Sequence, residues 1–130
     1  MNRAVFPALG ALALLAAAFI ANVACTCTTY QSAKQFVQFN DVIFKGKAVS
    51  SKSQYGVTTT KFAVLETLKG EPAQSVPVTH PASGPNKCGG IAFKPGEVVV
   101  IVAQGRPDDL GTTSCQISAY SEAQVRAALK

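Results

Sequence analysis

The pattern of apolar and polar positions separates an uncharged N-terminal run from a region in which the two classes alternate. No side chain from residue 4 to residue 23 is charged, and Arg3 stands just before this run. A positive start, an apolar centre and a small-residue end are typical of a secretory signal peptide, so we expect residues 1–24 to be removed and Cys25 to begin the mature chain. An apolar run of this length could instead span a bilayer, but no basic residue follows it before Lys34, which favours cleavage.

The alternating region, residues 25–130, predicts one mainly β domain flanked by short helices. Helices are expected over 32–39 and 121–130, because each begins with a serine three residues before a glutamine. Period-2 patterns and β-branched residues predict five strands, over 42–50, 57–68, 75–79, 97–103 and 112–118.

The predicted connections complete this outline. Pro77 lies within the third predicted strand and indicates an edge position, because proline cannot donate to a ladder. Residues 80–90 read as a loop, residues 94–96 as a turn, and Asp108 with Asp109 as another turn. Short strands with turn signals at this density are typical of a small barrel or sandwich.

The chain is mildly basic, and this charge does not alter the predicted fold. The chain has 12 Lys and Arg against 7 Asp and Glu, a formal net charge of +5. Nucleic acid is not an expected partner, since the basic residues form no dense stripe. Lys45, Lys47 and Lys61 could form a basic face for an acidic polysaccharide or a membrane, although a solvated strand face explains them as well.

Four cysteines lie at or after the expected cleavage point, and an even number in an exported domain predicts two disulfides. A bridge between Cys25 and Cys27 is disfavoured, because one intervening residue strains the usual Cα spacing. In an extended stretch both sulfurs point to the same side, so each would reach a different partner. Cys88 and Cys115 are those partners, in an order that spacing leaves open.

No arrangement of residues indicates catalysis, so we expect a protein that is not an enzyme and needs no cofactor. His80 is the one histidine in the chain, and with the cysteines it could in principle bind zinc or copper. An oxidising compartment favours disulfides over such an intrinsic metal site. Cys27 as a nucleophile would need an activating base, and the presence of a single histidine in the chain disfavours this role.

A mature N-terminus that is itself a cysteine carries a free α-amine, and this group has its own chemistry. Its unperturbed pKa of about 8 leaves part of it neutral near pH 7. A neutral amine and the carbonyl of the same residue can chelate a metal, and catalytic zinc keeps one coordination position open. A disulfide-fixed terminus at Cys25 could occupy that position in a partner. The simpler interpretation is that the cysteines serve only as structural bridges.

Several short motifs occur together in one order along the chain. Cys25-Thr26-Cys27 directly follows the leader, and the strand ending in Lys69-Gly70 comes later. The motifs closest to the C-terminus are the loop from His80-Pro81-Ala82 to Cys88-Gly89 and the segment Thr112-Thr113-Ser114-Cys115. In this order they resemble the tissue inhibitors of metalloproteinases, which belong to the netrin-like domain family. The similarity covers most of residues 25–120.

This resemblance implies a fold and a mode of action. The fold would be a five-stranded OB-type barrel, a netrin-like domain over residues 25–130, with disulfides Cys25–Cys88 and Cys27–Cys115. The amine and carbonyl of Cys25 would chelate the zinc of a metalloproteinase, with the zinc supplied by the partner. The expected protease contacts are Thr26, which would enter the primary specificity pocket, and Cys27, Thr28, Asn86 and Lys87.

A second interpretation belongs to a different class. The domain could be a netrin-like envelope protein, periplasmic or lipid-anchored at Cys25, with a structural or adhesive role and no inhibitory activity. Lipidation would block the amine and leave three thiols, an odd number, and it is therefore ranked second. Both interpretations place the protein outside the cell or in its envelope. We expect a monomer without membrane attachment unless Cys25 is lipidated.

Overall fold

The computed structural model describes residues 26–85 and 88–130, and five strands among them close into a barrel. The predicted signal peptide, Cys25, Asn86 and Lys87 lie outside the described residues. The strands are β1 (Val42–Gln54), β2 (Val57–Lys69), β3 (Ser75–Pro81), β4 (Val98–Arg106) and β5 (Asp109–Gly111). Three helices accompany them, α1 (Ala33–Phe39), α2 (Ser114–Ser118) and α3 (Glu122–Ala128).

The barrel closes in the order β1-β2-β3-β5-β4, with β4 returning to pair with β1. Four of the pairings are antiparallel, and the short pairing between β3 and β5 is parallel. The β1–β2 ladder contains register shifts at three points. Such shifts bend and twist a strand, so the long β1 can contact β2 along one edge and β4 along the other.

Aromatic side chains fill the barrel interior. Phe62 is fully buried, and its ring lies edge-on to the rings of Phe44 and Phe93 with centroid distances of 6.0 and 5.1 Å. A Cβ at Gly46 would come within 2.7 Å of the Phe44 ring, so the absence of a side chain there makes room for that aromatic. Burying each such ring contributes about 1.5–3 kcal/mol, which makes this cluster the main core.

A second apolar cluster lies outside the barrel, between the wall and two helices. Phe36 of α1 and Val125 of α3 pack on the outward-facing Ile43 and Val102. The ring of Phe36 also contacts Tyr30 and Tyr120, each at 5.0 Å between centroids. The helices therefore cover part of the outer wall and attach the start and the end of the described chain to it.

An ion-pair network holds α3 against the strands. Arg126 donates two hydrogen bonds to Glu66 of β2, at 2.9 and 2.6 Å, and a third to Glu122 at 3.0 Å. Lys45 Nζ lies 3.3 Å from Glu122. Hydrogen bonds from Arg126 are the main cause that lowers the pKa of both Glu66 and Glu122. Several charges in one network fix the orientation of α3 better than an isolated surface pair would.

The structure confirms both predicted terminal helices and four of the five predicted strands. Asn40 ends α1, and Ser121 and Gln124 form the predicted capping box of α3. The prediction of a strand over 112–118 is wrong. Thr113 instead caps the helix α2, and the fifth strand is β5, which includes Asp109 from the predicted turn.

The prediction for the third strand also needs correction. β3 continues to Pro81, so His80 lies in a strand rather than in the predicted loop. β3 pairs with β2 on one side and with β5 on the other, so it is not an edge strand. Its contact with β5 covers only Val78 and Thr79, which leaves Pro77 without a partner on that side. Proline is tolerated there because a residue that cannot donate a hydrogen bond loses nothing on a side where no strand is paired. The same property of proline suggested an edge position.

Candidate functional site

The start of the described chain is an exposed segment attached by one disulfide. Residues 26–29 are solvent-exposed and lie outside any helix or strand. Cys27 is bonded to Cys115 of α2 across 88 residues of sequence, with 5.5 Å between the Cα atoms. This confirms the predicted Cys27–Cys115 pair. The segment therefore has a fixed base at Cys27, while Thr26 and Thr28 on either side remain accessible.

The helix α2 joins this segment to the loop that follows β3. The Thr113 side chain caps the helix by accepting from the Gln116 N–H. The Ser114 N–H donates to the Gly89 carbonyl at 3.0 Å. Gly89 has a φ of 72°, and a Cβ there would lie 3.2 Å from the Thr113 side chain. Glycine is thus required where the loop touches the start of α2.

A partly buried hydrogen-bond network supports α2. The Gln116 side-chain amide donates to Asn40 Oδ1 at 2.7 Å, and the Asn40 amide donates to the Phe36 carbonyl at 2.8 Å. Lys69 Nζ donates to the carbonyls of Val37 and Asn40 at 2.7 and 2.6 Å. The helix α2, which carries Cys115, is therefore connected to the C-terminal end of α1.

The roles of this network were only partly visible in the sequence. Asn40 directly follows the helix predicted over 32–39, but its bond to Gln116 was not predicted. The pairing joins residues 76 positions apart and has no local signal. Thr113 and Gln116, in contrast, have the same capping spacing as Ser121 and Gln124, and that spacing could have revealed α2.

The loop from Ala82 to Gly90 is closed at its base by backbone contacts. The Ile91 N–H donates to the Pro81 carbonyl at 3.1 Å, and the Ala82 N–H donates to the Gly56 carbonyl at 3.0 Å. Ala82 and Ile91 form a parallel bridge. The predicted contact residues Asn86 and Lys87 belong to this loop but lie outside the described residues. The loop is therefore held at both ends, and Cys88 is next to its contact with α2.

His80 lies at the base of the same loop and is 2% exposed. Its Nδ1 is 3.2 Å from the Pro81 carbonyl, which can only accept, so Nδ1 carries the proton in neutral His80. Nε2 then accepts from the Thr60 hydroxyl at 2.7 Å, and Thr60 in turn accepts from Ser51 at 2.8 Å. Burial lowers the pKa of His80, although hydrogen bonds to the backbone of Pro81 and Ile91 oppose that effect. His80 therefore connects the β1–β2 hairpin to the loop.

Shallow grooves lie beside the terminal segment. One of about 230 Å³ is lined by Thr28, Thr113 and Gln116, among others. Another, of about 430 Å³, includes Tyr30 and Phe39, and Phe39 is 59% exposed. Tyrosine and phenylalanine are enriched where proteins bind each other. The segment thus stands next to concave surface that a partner could contact.

The structure brings together some of the sequence-predicted residues and leaves others untested. Thr26, Cys27 and Thr28 lie in one exposed segment over α2. Cys25, Asn86 and Lys87 are not described, so the predicted Cys25–Cys88 bridge and the chelating amine lie outside the described residues. Among the cysteines that are described, none is free. No cluster of metal-binding side chains occurs in the described ranges, and no helix within them is long and apolar enough to cross a membrane.

The chain was compared with protein-family models and with curated proteins, and neither comparison gave a match.

Proposed function

We propose that this domain is an exported binding module that inhibits zinc metalloproteinases through its mature N-terminus. The observation that carries the proposal is the exposed segment around Thr26 and Thr28, held in place by the Cys27–Cys115 disulfide. A segment fixed in this way loses little ordering entropy when it enters a partner's cleft. A disulfide is also consistent with an extracellular or periplasmic location.

The proposed fold is the OB-type, netrin-like barrel. Five strands in a nearly closed antiparallel barrel are the architecture of OB domains. The order β1-β2-β3-β5-β4 and the one short parallel pair support this assignment. The β4–β5 connection is only two residues long, from Arg106 to Asp109, which suits a small barrel.

The proposed second disulfide joins Cys25 to Cys88. Gly89 is bonded to Ser114, so the neighbours of Cys88 and Cys115 are in direct contact. Cys27 is bonded to Cys115, and two residues of extended chain span roughly 7 Å. The closeness of these neighbouring residues supports the proposed bridge.

The proposed mechanism uses the backbone of Cys25 and the side chains beside it. The neutral α-amine and the carbonyl of Cys25 would take the open position on the protease's zinc, displacing the water that is required for hydrolysis. Thr26 would enter the pocket next to the metal. Thr28, Asn86 and Lys87 would widen the contact, with Cys27 holding the segment between them. The zinc belongs to the protease, so the inhibitor needs no metal of its own.

The test is to displace the amine while keeping the fold. An additional alanine before Cys25 moves the amine away from the metal, and an additional alanine after Lys130 is the matched control. We expect inhibition constants against a panel of zinc metalloproteinases to rise at least a hundredfold for the first variant and to stay unchanged for the second. The two variants and the native protein should have the same melting temperature, because residues 26–29 are exposed.

A pair of side-chain variants refines the same test. Thr26→Gly should weaken inhibition by roughly tenfold, because emptying a pocket of one small side chain costs about 1–2 kcal/mol. Thr29→Gly, in the same exposed segment, should have little effect. Equal inhibition by the N-terminally extended and native proteins would exclude chelation. If the native protein inhibits no metalloproteinase, the inhibitory function itself is wrong.

A further inference from the structure

One edge of β1 has no neighbouring strand over almost half of its length. β4 pairs with β1 only as far as Lys47. The last backbone bonds on that side belong to Ala48, whose N–H donates to the Glu97 carbonyl at 2.9 Å and whose carbonyl accepts from the Gly96 N–H at 2.7 Å. Among the described residues, the rest of β1 pairs with β2 alone. We call residues 49–54, on the side away from β2, the free edge of β1.

The register shows which backbone groups point out from the free edge. The Val64 N–H donates on the β3 side of β2, at 2.8 Å from its acceptor carbonyl. Backbone groups alternate in direction along a strand, so Thr59 bonds on the opposite side, towards its β1 partner Lys52. The two neighbours of Lys52, Ser51 and Ser53, therefore direct their N–H and C=O groups away from β2. Unpaired backbone groups in a row are a template for another strand.

Hydroxyl pairs on the inner side hold the free edge in an extended conformation. Ser51 Oγ lies 2.8 Å from Thr60 Oγ1, and Ser53 Oγ lies 2.7 Å from Thr58 Oγ1. Thr60 is also bonded to the buried His80. Cross-strand pairs of this kind stabilise the ladder between two strands. A partner that binds the free edge therefore does not have to order it first, which lowers the entropy cost of binding.

The charge beside the free edge is positive and uncompensated. Lys52 is exposed, and Lys61 is its diagonal neighbour, because Lys61 lies opposite Ser50. Residues 42–65 include no aspartate or glutamate, and no ion pair of the described chain involves either lysine. Glu97 lies past one end of the free edge, and its carboxylate accepts a hydrogen bond within its own turn. A strand that is added here therefore meets positive charge on its outer side.

A second copy of this chain fits the free edge poorly. Two copies related by a twofold axis would align their β1 strands antiparallel, with Ser51 and Ser53 of each copy supplying the hydrogen bonds. Every such register places the two Lys52 side chains on the same face, directly opposite or diagonal to each other and within about 8 Å. Like charges at that spacing repel, whereas a carboxylate in the same position is attracted.

We propose that the free edge of β1 binds an extended, acidic peptide segment of a partner protein as an additional β-strand. In strand addition, backbone hydrogen bonds give affinity and alternate side chains give specificity. Ser51 and Ser53 supply the backbone hydrogen bonds. Lys52, with Lys61 beside it, selects a carboxylate side chain on the partner. Val49 is 51% exposed and offers an apolar contact at the start of the edge. The inference does not depend on the inhibitory function.

The first experiment compares two short capped peptides that alternate threonine and valine around one central residue. That residue is glutamate in one peptide and lysine in the other. NMR titration of the isotope-labelled protein follows each backbone amide. We expect the glutamate peptide to bind with a dissociation constant of about 1 mM or tighter, and the lysine peptide to bind at least about tenfold more weakly. Amide exchange at Ser51 and Ser53 should slow by about tenfold or more at saturation, because both N–H groups become hydrogen-bonded.

Charge reversal in the protein tests the specificity of the free edge. Lys52→Glu should invert the preference, so that the lysine peptide binds more tightly than the glutamate peptide. The control Lys34→Glu changes an exposed lysine of α1 and gives the same net charge. It should keep the preference of the native protein. Inversion in both variants would overturn the inference, because net charge alone would then explain the selection.

A second pair of variants tests the backbone bonds. Ser53→Pro removes an outward N–H, whereas Ser53→Ala removes only the hydroxyl. The proline variant should lose detectable binding, and the alanine variant should bind within about threefold of the native protein. Urea melts establish that both are folded; if Ser53→Pro is not, the result for Lys52→Glu decides alone. Three results with the native protein would each overturn the inference: equal binding of the two peptides, protection confined to other amides, and protection of Ser51 and Ser53 that grows with protein concentration without peptide, which would indicate a second copy.

Discussion

At the scale of single residues, His80 shows how a polar side chain is accommodated in a barrel. It is fully hydrogen-bonded through Thr60 and Pro81, and its ring lies edge-on to Phe93 at 5.1 Å. The hydrogen-bonding partners that the structure gives it are uncharged. A neutral imidazole is satisfied in this position, but an imidazolium would have to give up its hydration without a counter-charge.

We therefore predict that stability falls as the pH falls below about 6.5. Burial lowers the pKa of His80 in the folded protein, so the unfolded chain takes up the proton first. The free energy of unfolding should decline from pH 6.5 down to the folded-state pKa and then level off, by about 1.4 kcal/mol per unit of pKa difference. Urea melts at intervals from pH 7.5 to 5 measure this decline.

The matched variant for this prediction is His80→Gln, which keeps a hydrogen-bonding side chain but does not titrate. It should be less stable at pH 7.5 and should lose the dependence on pH between 7.5 and 5.5, because His80 is the one histidine in the chain. A decline of the same size in His80→Gln would show that another group causes it.

The sequence contained a signal for the position of His80 that the prediction of a loop did not use. Residues Val76, Val78 and His80 are buried, while Ser75, Pro77 and Thr79 are exposed. The alternation of buried and exposed residues continues through a single strand to Pro81. A period of two can be recognised from the sequence alone. The prolines obscured it, because Pro77 was taken to indicate an edge and Pro81 was assigned to the following loop.

At the scale of elements, α1 depends on a side chain from a distant strand. A helix leaves its last carbonyls without internal partners. Lys69, the last residue of β2, donates to the carbonyls of Val37 and Asn40 at that end of α1. The Lys69-Gly70 pair also has a geometric role, because Gly70 has a φ of 82° and a Cβ there would come within 2.8 Å of the Asp41 carbonyl.

We predict that Lys69→Met destabilises the domain by about 1–3 kcal/mol. The substitution keeps most of the aliphatic stem but leaves partly buried carbonyls unsatisfied. The control Lys52→Met changes an exposed lysine in β1 and should stay within about 0.5 kcal/mol of the native protein. Chemical denaturation of the three proteins gives the comparison. Equal stabilities for the two variants would mean that Lys69 does not support α1.

Elements differ in how far the sequence could predict them. α1, α3 and the longer strands follow from capping residues and hydrophobic period, since local chemistry and tertiary packing agree there. β5 has three residues and one buried side chain, Leu110, so it offers no period to detect. The segment 112–118 was predicted as a strand, yet it folds as a helix because Thr113 caps it and Cys115 is bonded to Cys27. The local cap and the tertiary bridge together outweighed the β-propensity of this segment.

At the scale of the whole molecule, the Cys27–Cys115 disulfide joins the exposed terminal segment to a helix near the other end of the chain. A closed loop of this length restricts the unfolded state strongly, which contributes about 4–5 kcal/mol in the chain-entropy model. The barrel core is small, so this contribution is large relative to the total stability of such a domain.

We predict that Cys27→Ala/Cys115→Ala lowers the free energy of unfolding by about 2–5 kcal/mol. The neighbouring pair Thr28→Ala/Ser114→Ala leaves the bridge intact and should cost much less. Urea midpoints for the native protein and the two variants decide the matter. An unchanged midpoint for the cysteine variant would show that the bridge does not stabilise the fold.

The same bridge makes most of the chain a covalent ring. Every peptide bond from Cys27 to Cys115 lies inside that ring, including the exposed hairpin tip at Tyr55 and Gly56. A single cut anywhere in this range opens the ring but releases no fragment, and the two halves remain joined through sulfur. An enzyme that nicks the domain while bound to its terminal segment would therefore not separate that segment from α2. Resistance to a single nick is a property that the barrel alone could not provide.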